Sequence, residues 1–192
     1  MANAKKAPAQ ESAFKTMVYP VIILVVICVV CSALLAVLND ITAPIIVENT
    51  RAETLASYLS VLPEGTTEAD MTEYTDLATP GVEGAVTTAG GAAAVKAAAA
   101  GYSGNDVTVY VAFDANGAIS ALSVDASTQT TGIGSKVAEE SFTAGFLGWS
   151  GGPVASGAPV DTIASATYSS EAVFAAVNAA IDCYTNELQG GV

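Results

Sequence analysis

Four hydroxyl side chains, Ser165, Thr167, Ser169 and Ser170, crowd one short stretch near the C-terminus. They close a turn, Asp161 to Ser170, that feeds a predicted helix of about five turns running from Glu171-Ala172-Val173-Phe174 to roughly Leu188. A helix N-terminus carries unpaired N–H groups and the positive end of the helix dipole, so it suits an anion such as a phosphate. The same residues also read as a plain helix start, with Ser169 or Ser170 as the N-cap. A second stretch, Gln129-Thr130-Thr131-Gly132-Ile133-Gly134-Ser135-Lys136, supplies glycines that let the backbone approach a planar ligand or take a positive φ. By itself that stretch is equally an ordinary turn.

Composition narrows the chemistry. The chain of 192 residues contains no histidine, so a histidine-based catalytic triad and a histidine-ligated zinc site are excluded. Of three cysteines, Cys28 and Cys31 fall in an apolar run, where they read as small side chains rather than a redox pair, and Val30 stands where a lipid-anchor signal needs a small residue. Cys183 is alone beyond the run, so no intrachain disulfide braces the C-terminal part. Acidic residues outnumber basic ones by 19 to six, and all but one of the acids lie beyond residue 38. Such a surface does not seek nucleic acid or an anionic membrane face.

The elements that must position these groups follow from patterning. Residues 1–16 are polar, with Lys5, Lys6 and Lys15, and predict a cytoplasmic tail. Residues 17–38 carry no charge and are long enough for a transmembrane helix, with no convincing cleavage signal after them. Lysines before the span, and Asp40 and Glu48 after it, predict a cytoplasmic N-terminus and an exterior remainder. Residues 39–84 are expected to hold a juxtamembrane helix and a connecting segment. The helix starts at Thr42-Ala43-Pro44 and buries a stripe of Ile45, Leu55, Tyr58, Leu59 and Leu62 before Pro63-Glu64-Gly65 stops it. The polar, acid-rich residues 63–91 read as solvated surface.

Residues 85–192 are expected to form one domain. Alternation of Val107, Val109, Val111 and Phe113 with Thr108, Tyr110 and Ala112 predicts a strand, Asp114-Ala115-Asn116-Gly117 a hairpin, and Ala118–Val124 the returning strand. In that second strand Ile119 falls opposite Leu122 and Val124, as if both faces were covered. The alanine-rich stretch Ala92–Ala100 suits helix or strand on local grounds. An antiparallel sheet with packed helices gives an α+β class.

Ser165-Ala166-Thr167-Tyr168-Ser169-Ser170 resembles the S/T-G-A-T-x-[ST] flavinylation motif of the FMN-binding domain family shared by the Rnf and Na⁺-NQR complexes. Ser165 stands where that family has Gly, and Ala164 where it has Ser or Thr. Gln129–Lys136 resembles the E-T-P-G-L-G loop of the same family, with Gln129 replacing Glu and Thr131 replacing Pro. With the start Gly101-Tyr102-Ser103-Gly104 and the hairpin between, the resemblance covers roughly residues 85–188 and favours a strand over Ala92–Ala100. The single N-terminal span makes the whole similar to the G-subunit family of Rnf ferredoxin:NAD⁺ oxidoreductase complexes, with the usually longer C subunits of Na⁺-NQR as the next relatives.

The resemblance implies FMN held covalently through a phosphoester on Thr167, placed there by a flavin transferase from FAD with Mg²⁺ and loss of AMP. It implies that Ser165, Ala166, Ser169, Ser170, Thr131, Gly132, Ile133, Gly134 and Lys136 surround the cofactor, with the ring against the Gly132–Gly134 loop. Lys136, if turned inward, would offset acidic groups that lower the flavin potential. The chain would be a relay rather than an independent enzyme. It would work with other membrane and peripheral subunits of an Rnf-type complex that couples ferredoxin:NAD⁺ electron transfer to Na⁺ or H⁺ translocation. Two other classes fit the same residues: a tethered flavinylated carrier of an extracellular electron-transfer system, and a membrane-anchored binding module without redox chemistry.

Overall fold

The computed structural model describes residues 17–189, and the tail expected over residues 1–16 lies outside them. The chain divides into two compact units, one ending at Arg51 and one beginning at Ala52.

Helix α1 spans Tyr19–Val61, and its N-terminal part makes up the described residues of the first unit. Residues 21–38 are uncharged and exposed, and the helix is long and apolar enough to cross a membrane. The break expected at Thr42-Ala43-Pro44 does not occur: Pro44 lies inside the helix. The Thr42 hydroxyl donates to the Leu38 carbonyl at 2.9 Å, a back-bond within a helix and not an N-cap. Proline costs one N–H bond at this point, but no glycine lies between Tyr19 and Val61 to give the chain a second reason to leave the helix.

The second unit begins with the last turns of α1, where Tyr58 and Val61 are buried, as is Leu62 just beyond. The buried part of the predicted stripe is shorter than expected. Leu55 is half-buried, whereas Ile45 and Leu59 are exposed.

Five strands follow as an antiparallel meander in chain order: β1 (Met71–Tyr74), β2 (Val82–Thr88), β3 (Ala93–Ala100), β4 (Asp106–Phe113) and β5 (Ile119–Asp125). The first two occupy the segment expected to be solvated surface. β1 is an edge strand with one half-buried and three exposed residues, so its acids and hydroxyls pair through backbone and leave no apolar alternation to read. β3 is a strand despite its alanines. Its register sets Ala93, Val95 and Ala97 opposite Phe113, Val111 and Val109 of β4. These six side chains share one buried cluster with Ala172, Val173, Ala176, Val177 and Ala180 of helix α3 (Thr167–Cys183), which a π turn, Tyr184–Leu188, extends. Small side chains on both surfaces let helix and sheet pack closely.

The opposite sheet face belongs to α1. Val86, Ala94, Tyr110 and Ala112 cluster with Tyr58, Val61 and Leu62, and the Tyr58 ring meets Tyr110 edge-on with centroids 5.5 Å apart. The sheet is thus covered on both sides.

The β4–β5 turn fixes a detail that alternation alone misplaces. Asp114 accepts the N–H groups of Asn116 at 2.8 Å and Ala118 at 2.9 Å, and Gly117 takes φ +81° to close the loop. The register then slips: Phe113 pairs with Ile119 but Ala112 with Ala121. Ser120 is the extra residue of this bulge, which turns Ile119 onto the same face as Leu122 and Val124 rather than the opposite one.

Between β5 and α3 the chain makes a short helix α2 (Glu140–Thr143) and tight turns that bring Phe142 and Phe146 against Phe174, with centroid distances of 6.2 and 6.1 Å. At the far end of α3, Glu187 accepts the N–H groups of Ala78 at 2.8 Å and Thr79 at 2.9 Å and the Thr79 hydroxyl. These bonds hold its carboxyl below the usual range and tie the C-terminus to the β1–β2 connection.

Candidate functional site

The start of α3 differs from the expected serine-capped turn. The N-cap is Ala166, which has no side chain able to accept, and helical geometry begins at Thr167. Ser169 and Ser170 sit inside the first turn and are buried. Ser170 does different work: its hydroxyl donates to the Ala166 carbonyl at 3.0 Å and accepts the Ile163 N–H at 3.0 Å, locking the turn from behind. The N–H groups of Thr167, Tyr168 and Ser169 are therefore left without a side-chain cap, at the positive end of α3. Thr167 is exposed, and among the described residues its hydroxyl makes no hydrogen bond.

The turn itself is strained at one residue. Ser165 has φ +68°, in the left-handed region that favours glycine. Ser165→Gly is expected to stabilise the domain by about 0.5–1 kcal/mol, less than the steric term alone because the unfolded chain gains freedom. Denaturant unfolding followed by the fluorescence of Trp149, the chain's one tryptophan, measures it. No gain would mean that the strain at this residue is no larger than the freedom glycine adds to the unfolded chain.

The Gly132–Gly134 loop meets this turn directly. Thr130 carbonyl accepts the N–H groups of Ile133 at 3.1 Å and Ser135 at 3.2 Å, while the Gly132 N–H donates to the Ser135 hydroxyl at 2.9 Å. Gly134 is buried against α3: a Cβ there would stand 2.6 Å from the Ser169 Oγ and 2.9 Å from the Gln129 Cβ. Gln129 joins the parts. Its Oε1 accepts from the Ser169 hydroxyl at 2.8 Å and the Tyr102 N–H at 3.1 Å, and its Nε2 donates to the Asn105 carbonyl at 2.9 Å. One buried amide thus holds the Gly101–Gly104 turn, the glycine loop and the first turn of α3 together. Gln129→Leu, close in volume, strips these partners of their bonds. It should cost about 2–3 kcal/mol, read in the same Trp149 unfolding curve. A loss below half a kcal/mol would remove Gln129 from this role.

These elements enclose a cavity of about 250 Å³ lined by Tyr102, Thr130, Ile133, Gly134, Ser165, Ala166, Tyr168 and Ser169. Of the residues singled out in the sequence, Ser165, Ala166, Ser169, Ile133 and Gly134 line it. Thr167 adjoins it on the same turn. Ser170 is buried behind the turn, Thr131 and Gly132 lie exposed on the loop, and Lys136 faces a neighbouring depression with Glu139, Asp161 and Thr162. Tyr102, Tyr168 and Gln129 are the residues that sequence reasoning did not assign. The signal for the tyrosines was present, since each lies inside a quoted motif, but nothing in one dimension shows that 66 positions apart they meet.

Residues 5–61 match the RnfG N-terminal region family, and residues 101–182 match the FMN-binding domain family. No curated protein matches the chain. The FMN-binding match runs from the Gly101 turn through the glycine loop and across α3, so it contains every residue that lines the cavity. The chain belongs to the RnfG-type family of FMN-binding subunits, flavin-binding electron-transfer components of Rnf-type complexes.

Proposed function

We propose that this subunit carries FMN covalently on Thr167 and relays electrons between other redox subunits of an Rnf-type complex. The observation that carries the reading is the pairing of an exposed Thr167 hydroxyl with an uncapped helix start. A phosphoester on Thr167 Oγ meets the free N–H groups of the first turn, which stabilise its negative charge without a counter-ion. In attachment a flavin transferase joins Thr167 Oγ to the phosphorus of the FMN half of FAD, the pyrophosphate bond breaks, AMP leaves, and the hydroxyl proton passes to solvent.

Bound there, FMN supplies the redox chemistry. The chain's own residues place it: the first turn of α3 takes the phosphate, the Gly132–Gly134 loop and Ile133 form a wall, and Gln129 and Ser170 hold that wall and the turn in register. Lys136 stands beside this site rather than in its cavity, where its charge acts on the phosphate side or on a partner. The lysines before the span, Lys5, Lys6 and Lys15, favour an N-terminus in the cytoplasm, which puts the flavin on the outer face. Residues 17–38 contain no Asp, Glu, Lys, Arg or His, so Na⁺ or H⁺ moves through other subunits, coupled to electron flow from ferredoxin to NAD⁺.

Intact mass of the full chain, co-expressed with a flavin transferase and purified in detergent, tests the proposal. An increment of one FMN less one water is expected. The unmodified mass, with the transferase shown active on another substrate, would overturn it.

A further inference from the structure

Two tyrosines give the cavity an aromatic side that no motif predicts. Tyr102 and Tyr168 both line it, with ring centroids 6.4 Å apart and planes tilted by 54°. Tyr102 is 55% exposed and Tyr168 67% exposed. Among the described residues neither hydroxyl makes a hydrogen bond. A single exposed aromatic needs no explanation, but two that adjoin across one cavity leave a large apolar surface facing solvent. Their positions are also fixed at the backbone, Tyr102 by its N–H to Gln129 and Tyr168 by the first turn of α3.

The lining is notable for what it lacks. None of its eight residues is charged, in a chain whose net charge is −13. A cavity of this kind takes an uncharged planar group and not a phosphate, which the N–H groups of the α3 start attract instead. Its volume of about 250 Å³ has room for a fused ring system.

We infer that Tyr102 and Tyr168 are positioning residues that seat the isoalloxazine ring, stacking on it opposite Ile133 and Gly134. The inference rests on attachment at Thr167, whose neighbour in the chain is Tyr168. Phosphate and ring would then part: the phosphate at the helix start, and the ring in the cavity with the two tyrosines on one side and Ile133 and Gly134 on the other. Stacking covers the exposed rings and gains the aromatic contact that the tilted pair does not make fully alone.

Tyrosine in contact with an excited flavin lends it an electron and takes it back, which quenches emission with no net reaction. The attached flavin of the full chain is therefore expected to be weakly fluorescent. Tyr168→Leu and Tyr102→Leu should each raise the emission severalfold per attached flavin, with the flavin of each variant counted from its mass increment. Tyr168→Trp should restore quenching. Because Tyr168 adjoins the attachment point, Tyr102→Leu decides the matter where Tyr168→Leu impairs flavinylation. Full attachment with equal emission in wild type and Tyr102→Leu would overturn the seat while leaving Thr167 in place. Absence of the increment in wild type would overturn the attachment and the seat together.

Discussion

Thr167→Ala is expected to abolish the flavin mass increment completely while moving the unfolding free energy by less than about 0.5 kcal/mol. The two halves of this expectation have separate causes. Attachment needs an oxygen at one position, and alanine supplies none. Stability needs little from the same oxygen, because Thr167 is exposed and makes no side-chain hydrogen bond among the described residues. Alanine at the first helical position also carries slightly better helix propensity than threonine, which offsets part of any loss. Thr167→Ser keeps the oxygen and should retain the increment, with slower labelling because the side chain loses its β-branch and with it some rotamer restriction. An increment that survives in Thr167→Ala would place the flavin on another hydroxyl. Ser165, exposed and two residues away, is then the one to change. A protein that loses both flavin and fold would mean that Thr167 is structural, against its geometry.

The sequence showed the large divisions of this chain because each rests on a strong local signal. An uncharged run of helix length, an alternating strand and an Asn-Gly turn all declare themselves within a few residues. What it hid depended on partners. β1 carries Glu73 and hydroxyls on an exposed edge, so nothing in its own side chains marks it as a strand. Pro44 looked like a helix start, since proline suits a first turn as well as it disrupts an interior one. The β5 bulge at Ser120 could not be read, because a one-residue slip changes faces without changing composition. At the candidate site the divide is the same. Thr167 and the glycine loop were legible from motif order. Gln129 as the joint among three segments was not, since its partners Tyr102 and Ser169 lie 27 and 40 residues away. The serines show the reverse error: hydroxyls before a helix suggested an N-cap, yet Ser170 turns back to the chain before it and leaves the helix start open.

The glycine loop packs closely on the first turn of α3, and Gly134→Ala should show this through a loss of about 2–5 kcal/mol. Its backbone is not left-handed, so alanine is excluded by space alone. The added Cβ would fall 2.6 Å from the Ser169 Oγ and 2.9 Å from the Gln129 Cβ, closer than real contacts allow. Ser169 cannot swing away freely, because its buried hydroxyl would abandon Gln129 and leave a polar atom without a partner. Gly132 provides the contrast. It has φ +76° but nothing within 4 Å of an added Cβ, so Gly132→Ala meets only backbone strain of about 1 kcal/mol. The order of the two losses separates crowding from conformation. A double variant sharpens the point: Ser169→Ala removes the nearest atom, so Gly134→Ala should cost less in that background than alone, with a coupling of about 1 kcal/mol or more. Trp149 fluorescence in denaturant reads all four proteins. If Gly134→Ala proves no worse than Gly132→Ala, or if the two changes simply add, the loop does not press on α3 as described.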